Sequence, residues 1–462
     1  MSIKSRELEP NKDNLLATLK QDLLDRNKSV WQFARFCDEQ EGKSSIAIDA
    51  KWGFGKTFFV KQTKLLIESF NQFTHVLSEE ERISIKEAFR PYIGRGENEI
   101  TLDNQVCVYY DAWSNDNDID PMLSLVYSIL EETASDYDFK KSVDCINTAA
   151  ALIDTVTGRN VLDLATIMKE RDPLSRIKEQ KEIHDLIEEL LEYLLYEQGN
   201  RLVVFIDELD RCKPSYAIQL LERIKHYFAN DRVTFVFSVN VEELQHAVKR
   251  YYGNEFDACR YLDRFFDYRI ALPPANMTKY YQYIGLEGSY VFETVCSAVA
   301  KYCSFGLREL EKFYRIAKIA AYNPTHKRSF AGFPEGNAEE FSLVIFVPII
   351  IGLRIANTEM YSDFIEGKNA QPLIDIMGGG NIGRGYCSTL LAGNEVYGER
   401  TSDHEQSVEL RERLRDAYLA LFSDEGKNDW NETVVGKCSF SNRLREKILR
   451  VSSMLSEHTS FE

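Results

Sequence analysis

Two hydrophobic periodicities alternate along the first 275 residues. Apolar positions three and four apart in "NLLATLKQDLLDR" and "SVWQFARFCDEQ" predict two helices before residue 45. "SSIAIDA" (44–50) then reads as a short β-branched strand, followed by a glycine turn and a helix from Lys56 to about Ser69. Residues 70–102 are polar and read as irregular. A second strand, "QVCVYYDAW", precedes the acidic turn "SNDNDID", after which Pro121 opens the helix "PMLSLVYSILEETA". The stretch to about 199 reads as mostly helical and closes in the charged "RIKEQKEIHDLIEELLEYLL".

The continuous apolar run "RLVVFIDELDRC" predicts a buried strand ending in acids. It is followed by helix "YAIQLLERIKHYF", strand "VTFVFSVN" and helix "VEELQHAVKRYY". Fully apolar strands alternating with helices point to an α/β fold, a mostly parallel sheet covered on both faces. After "IALPP" (270–274) the strand pattern fades and the remainder reads as helical. The expected organisation is a core over 1–275 with a helical insertion at about 120–199, a helical lid over 276–330, and a mostly helical C-terminal region over 331–462.

Composition narrows the class. At 462 residues with 44% hydrophobic and 12% aromatic residues the chain is globular and large enough for two or three domains. A net charge of −17 opposes a general nucleic-acid or anionic-membrane partner, leaving only local basic patches. The start "MSIKSRELEPNKDN" lacks an apolar leader. The most apolar run, "FSLVIFVPIIIGL" (341–353), is too short to cross a bilayer and reads as a buried helix or strand pair. Nine scattered cysteines without CxxC spacing indicate neither a zinc site nor a disulfide framework. A reducing cytoplasm is the expected location.

The candidate chemistry centres on "AKWGFGKT" (50–57). A phosphate-binding loop wraps backbone N–H groups around an anion at a helix N-terminus and needs residues without bulk at its tightest points. Gly53 and Gly55 meet that need, Lys56 would reach the β- and γ-phosphates, and Thr57 would ligate Mg²⁺. Ala50 stands where the common pattern has glycine, the sterically mildest replacement. Asp207 would sit at the C-terminal edge of the sheet, beside Mg²⁺, and Glu208 would act as general base. The alternative reading has these two acids ending a strand and capping the next helix. Asn240 is a candidate γ-phosphate sensor, and Arg264 and Arg308 are candidate charge donors or surface salt-bridge partners. Trp52 and Trp113 are expected to pack on each other or on the N-terminal helices, with base stacking as the alternative. "GGGNIGRGY" (378–386) invites a second phosphate-loop reading, but no strand precedes it and no Lys-Thr follows, so a linker or loop is expected.

With these residues in view, the chain resembles the KAP family of P-loop NTPases over roughly residues 20–275. "DLLDR" (22–26) is similar to its N-terminal motif, "AKWGFGKT" to its tryptophan-bearing Walker A loop, and "YYDAW" (109–113) to its second-strand signature. "IDELDRC" (206–212) is similar to its Walker B segment and "YLDRFFDYRIALPP" to its closing motif; "GLRELEKFYR" extends the likeness toward a helical lid. Glu208 stands where the family often has aspartate, which leaves the base intact. Many members carry transmembrane helices between the loop and the second acid; here residues 140–170 are too polar, which implies a soluble member.

The resemblance implies ATP, in preference to GTP, with Mg²⁺. Nucleotide contacts would come from Ala50, Lys51, Trp52, Gly53, Phe54, Gly55, Lys56, Thr57 and Phe58 and from Arg26. It also implies a role in excluding phages. Three functions are compatible with the motifs: an ATP-hydrolysing switch or motor, a nucleotide-binding scaffold, and a small-molecule kinase. The acid pair Asp207 and Glu208 favours the first. A homo-oligomer or a protein partner would engage the helical regions, one candidate surface being the acidic, leucine-rich helix at 181–196.

Overall fold

The computed structural model describes residues 9–94, 99–118, 120–136, 175–286, 291–321, 337–378, 383–391, 403–423 and 432–453. Residues 137–174 of the expected helical insertion, which include the polar 140–170 stretch, residues 379–382 of the glycine-rich segment and the lid's far boundary lie outside these residues. The chain divides into two compact units, Leu8–Asn276 and Met277–Glu462.

The first unit opens with α1 (Lys12–Gln21) and α2 (Asn27–Asp38), then β1 (Ser44–Asp49) and α3 (Lys56–Phe70). Two helices follow, α4 (Glu79–Ala88) and α5 (Arg90–Ile93), where the sequence reads as irregular. The polar surface of α4 hides its periodicity. Its start is fixed by a capping box between Ser78 and Glu81; within α4 Ile85 is buried, followed at a spacing of four by buried Phe89 at its C-cap and Ile93 of α5. The unit continues through β2 (Gln105–Asp111), α6 (Pro121–Asp136), α7 (Ser175–Gln198), β3 (Arg201–Asp207), α8 (Pro214–Tyr227), β4 (Val233–Val239), α9 (Val241–Tyr252), α10 (Ala258–Leu262) and β5 (Tyr268–Ala271).

The five strands form one parallel sheet in the order β2-β3-β4-β1-β5. Side-chain alternation sorts its apolar residues into two cores. Leu202, Val204 and Ile206 of β3 join Phe235 and Phe237 of β4 in the cluster that α6, α7, α8 and α9 cover. Val203 and Phe205 join Ile46 and Ile48 of β1 in the cluster that α1 to α4 cover. Burial on both faces explains why these strands read as continuous apolar runs. All strands point the same way, so the loops after β1, β2, β3 and β4 open at one edge.

The second unit is mainly helical. The run 341–353 is helical rather than a strand pair: Asn337–Phe341 leads through a π turn, Ser342–Phe346, into Val347–Ala356. Every residue from Phe341 to Leu353 is buried. A hairpin, Thr433–Val435 against Cys438–Phe440, lies within the region expected to be mostly helical. Strands of three residues are too short to leave a legible period. Among the described residues no helix is long and apolar enough to cross a membrane.

Candidate nucleotide site

The loop between β1 and α3 has the backbone that its glycines anticipate. Gly53 and Gly55 sit at φ 81° and 86°, a left-handed region costly for other residues, and Gly55 caps α3. Ala50 has no positive φ, and its N–H donates to Val239 O at 3.2 Å, prolonging the sheet ladder. Alanine therefore meets no backbone penalty at this position. Lys56 is buried at the first turn of α3 and folds back on the loop, donating to Ala50 O at 2.6 Å and Lys51 O at 3.3 Å. Burial lowers its pKa, opposed by the carboxylates of Asp210 and Asp207.

Thr57, one residue on, donates its hydroxyl to Asp207 Oδ2 at 2.6 Å. Asp207 closes β3 and is 1% exposed. Its other oxygen accepts the Glu208 N–H at 3.0 Å. Glu208 leaves the strand in the left-handed region, φ 61°, at a cost of about 1–2 kcal/mol for a residue with a Cβ. Burial raises its carboxyl pKa, as do Asp207, Asp111 and Asp210, while Arg211 lowers it. Thr57 and Asp207 supply hard oxygen donors suited to Mg²⁺, which takes one or two protein oxygens alongside phosphate and water.

The two tryptophans meet at an arginine. Trp52 and Trp113 are both exposed, and the Arg211 guanidinium lies over both rings, 5.8 Å and 5.5 Å from their centroids. Trp52 Nε1 donates to Asp210 Oδ2 at 2.5 Å. An indole has one N–H donor, and a buried carboxylate satisfies it at the cost of leaving the ring partly in solvent.

Asn240 follows β4, is buried, and turns its backbone N–H toward the Asp210 carboxylate. Arg26 is buried behind the loop and donates from Nη1 to Phe54 O at 3.1 Å; burial lowers its pKa to about 10. Lys51 and Phe54 are exposed on the loop, and half-buried Phe58 packs into the α1–α4 side core. Arg264 lies elsewhere. Its carbonyl accepts from Lys225 Nζ at 2.7 Å, and nearby Asp267 accepts the Ser45 N–H at 2.8 Å, which puts both at the edge where β1 begins. Six strand residues separate that edge from the loop, roughly 20 Å. Arg308 is exposed on the helix Leu307–Ala321 of the other unit.

Three site residues escape the sequence reading. Tyr109 of β2 donates its hydroxyl to Asp207 Oδ2 at 3.0 Å, and Lys61 lies 4.2 Å from its ring centroid. Burial and Asp207 raise the Tyr109 pKa, keeping it a donor. Asp210 and Arg211 occupy the single 3₁₀ turn Leu209–Arg211 after β3. Their signal lies in "IDELDRC" and "YYDAW", but spacing alone assigns no partner across strands.

A family model, KAP family P-loop domain, matches residues 32–295, more than half of the chain. No curated protein matches the sequence. A solved structure titled "Structure of the Aeropyrum Pernix ORC2 protein (ADPNP-ADP complexes)" aligns over 98% of this chain and 98% of that chain at 10% identity, with a TM-score of 0.28. A likeness that weak carries no argument about this chain. The loop, the paired acids and the family match agree: the chain belongs to the KAP family of P-loop NTPases.

Proposed function

We propose that the chain is a Mg²⁺-dependent ATPase that works as a switch or motor. The observation that carries this reading is the Thr57–Asp207 hydrogen bond at 2.6 Å, which joins the phosphate loop to the acid of β3 and leaves Glu208 next to both. Lys56 and the loop N–H groups bind the triphosphate, while Thr57 and Asp207 hold Mg²⁺. Held there, the ion would supply positive charge against the triphosphate. Glu208 orients a water in line with the γ-phosphorus and accepts its proton as the bond to the ADP oxygen breaks. Asn240, buried at the tip of β4, senses the γ-phosphate. Arg264 and Arg308 remain candidates for a charge donated between copies of the chain. A role in excluding phages is carried by family resemblance alone, and a cytoplasmic setting by the scattered cysteines.

The test is phosphate release from ATP by the purified protein and by Glu208→Gln, with and without Mg²⁺, across a range of protein concentrations. Turnover that needs Mg²⁺ and falls by about 10²-fold or more in the variant, to a residual rate that is still measurable, is expected. Undiminished turnover in Glu208→Gln sinks the base assignment. Specific activity that rises with protein concentration would support a charge donated between copies.

A further inference from the structure

The loops after β1, β2 and β3 meet at one guanidinium. Arg211 lies over Trp52 from the β1 loop and over Trp113 from the β2 loop, both within cation–π range. Its Nη1 is 2.6 Å from Glu208 Oε2, and both side chains are about four-fifths buried, at 21% and 18% exposure. The Arg211 N–H also donates to Glu208 O at 3.0 Å, closing the turn that holds Glu208 at positive φ. A long carboxylate beginning from a left-handed residue has several rotamers open to it; an ion pair to a side chain that is itself fixed selects one.

We propose that Arg211 is a positioning residue for Glu208, with Trp52 and Trp113 acting as the support that keeps its guanidinium in place. The proposal rests on Glu208 being the general base. A planar guanidinium suits the task because it stacks on indole faces while its edge pairs with a carboxylate. A lysine keeps the charge and loses the stack. The device also couples the phosphate loop to the base: Trp52 belongs to the loop and is tied to Asp210 by its N–H.

The experiment is a double-mutant cycle on the full chain, with Arg211→Ala, Glu208→Gln and the pair together. Steady-state turnover is read alongside equilibrium binding of a fluorescent ATP analogue. The expected result is a loss of at least about tenfold in kcat for Arg211→Ala, with analogue affinity within about threefold of wild type, and no further loss when Arg211→Ala is added to Glu208→Gln. Trp113→Ala should reproduce part of the kcat loss, and Arg211→Lys should recover part of it. If Arg211→Ala does not fold, Arg211→Lys and Trp113→Ala carry the same comparison. Wild-type or faster turnover in Arg211→Ala beside a strongly slowed Glu208→Gln overturns the proposal and leaves the base assignment standing. Equal losses from Arg211→Ala in both Glu208 backgrounds, or a matching loss of analogue affinity, also overturn it, since the arginine then supports the loop alone. Full turnover in Glu208→Gln removes the base assignment and the proposal together.

Discussion

Thr57 and Asp207 are 150 positions apart, yet their side chains share a hydrogen bond of 2.6 Å. The strands that lead to them, β1 and β3, are not neighbours; β4 lies between them. Parallel order brings the end of each strand to one edge, and the first turn of α3 carries the Thr57 hydroxyl across to the acid. The contact therefore reports on the order β3-β4-β1 at the centre of the sheet.

Removing that hydroxyl should separate metal-dependent from metal-independent binding. Thr57→Ala is expected to lose most of the Mg²⁺-induced tightening of an ATP analogue, roughly tenfold or more, while binding in excess EDTA stays near wild type. Thr57→Ser should retain the tightening. Equal tightening in the alanine variant would reject the Mg²⁺ assignment.

The loop's departure from the usual glycine is testable in the same assay. Ala50 adopts an ordinary φ, so Ala50→Gly is expected to change analogue affinity by less than about 1 kcal/mol. Lys56→Ala should weaken binding roughly 10- to 100-fold, because a charge-assisted contact is worth about 1.5–3 kcal/mol. A large gain from Ala50→Gly would show that alanine compromises the loop.

The second unit offers a packing test. A Cβ on Gly352 would sit 2.3 Å from Val299 Cγ1, with Phe313 Cε2 and Cys303 Sγ close behind at 3.5 and 3.6 Å. Valine is stiff and cannot turn its methyl aside. Gly352→Ala should destabilise this unit by about 1–3 kcal/mol, read as a lower denaturant midpoint, despite the better helix propensity of alanine. An unchanged or higher midpoint would mean that the two helices separate at little cost.

Thiol chemistry should follow burial. Cys259 is exposed, whereas Cys37, Cys107, Cys212 and Cys296 are buried. Burial raises the pKa of those four, so at pH 8 almost none of each is thiolate. Cys303, Cys387 and Cys438 are pushed up to about 12. Peptide mapping after brief labelling at pH 8 should find Cys259 modified well ahead of these seven; comparable labelling of Cys37 or Cys107 would reject the assigned core.

The loop and the two acids were legible because each rests on local chemistry. Glycines at positive φ, a lysine and threonine opening a helix, and an acid ending an apolar strand occupy fixed offsets in the chain. Arg264 was a candidate on charge alone, and charge gives no edge of the sheet; its place near Ser45 follows from how β5 returns along β1. Helix α4 was missed because one buried residue, Ile85, among charged ones is a weak signal, although Ser78 and Glu81 marked its start.

By itself, then, the sequence determined the alternation of strands and helices, the class of the sheet and the identity of the phosphate loop, all set by periodicity and by contacts between near neighbours in the chain. The tertiary structure decided the partners: Tyr109 on Asp207, Trp52 on Asp210, and Arg211 between two indoles and Glu208. The reason is physical. Hydrophobic burial fixes which face of each strand turns inward, but which loop ends meet depends on strand order, and that order minimises the energy of the packed whole rather than of any one segment.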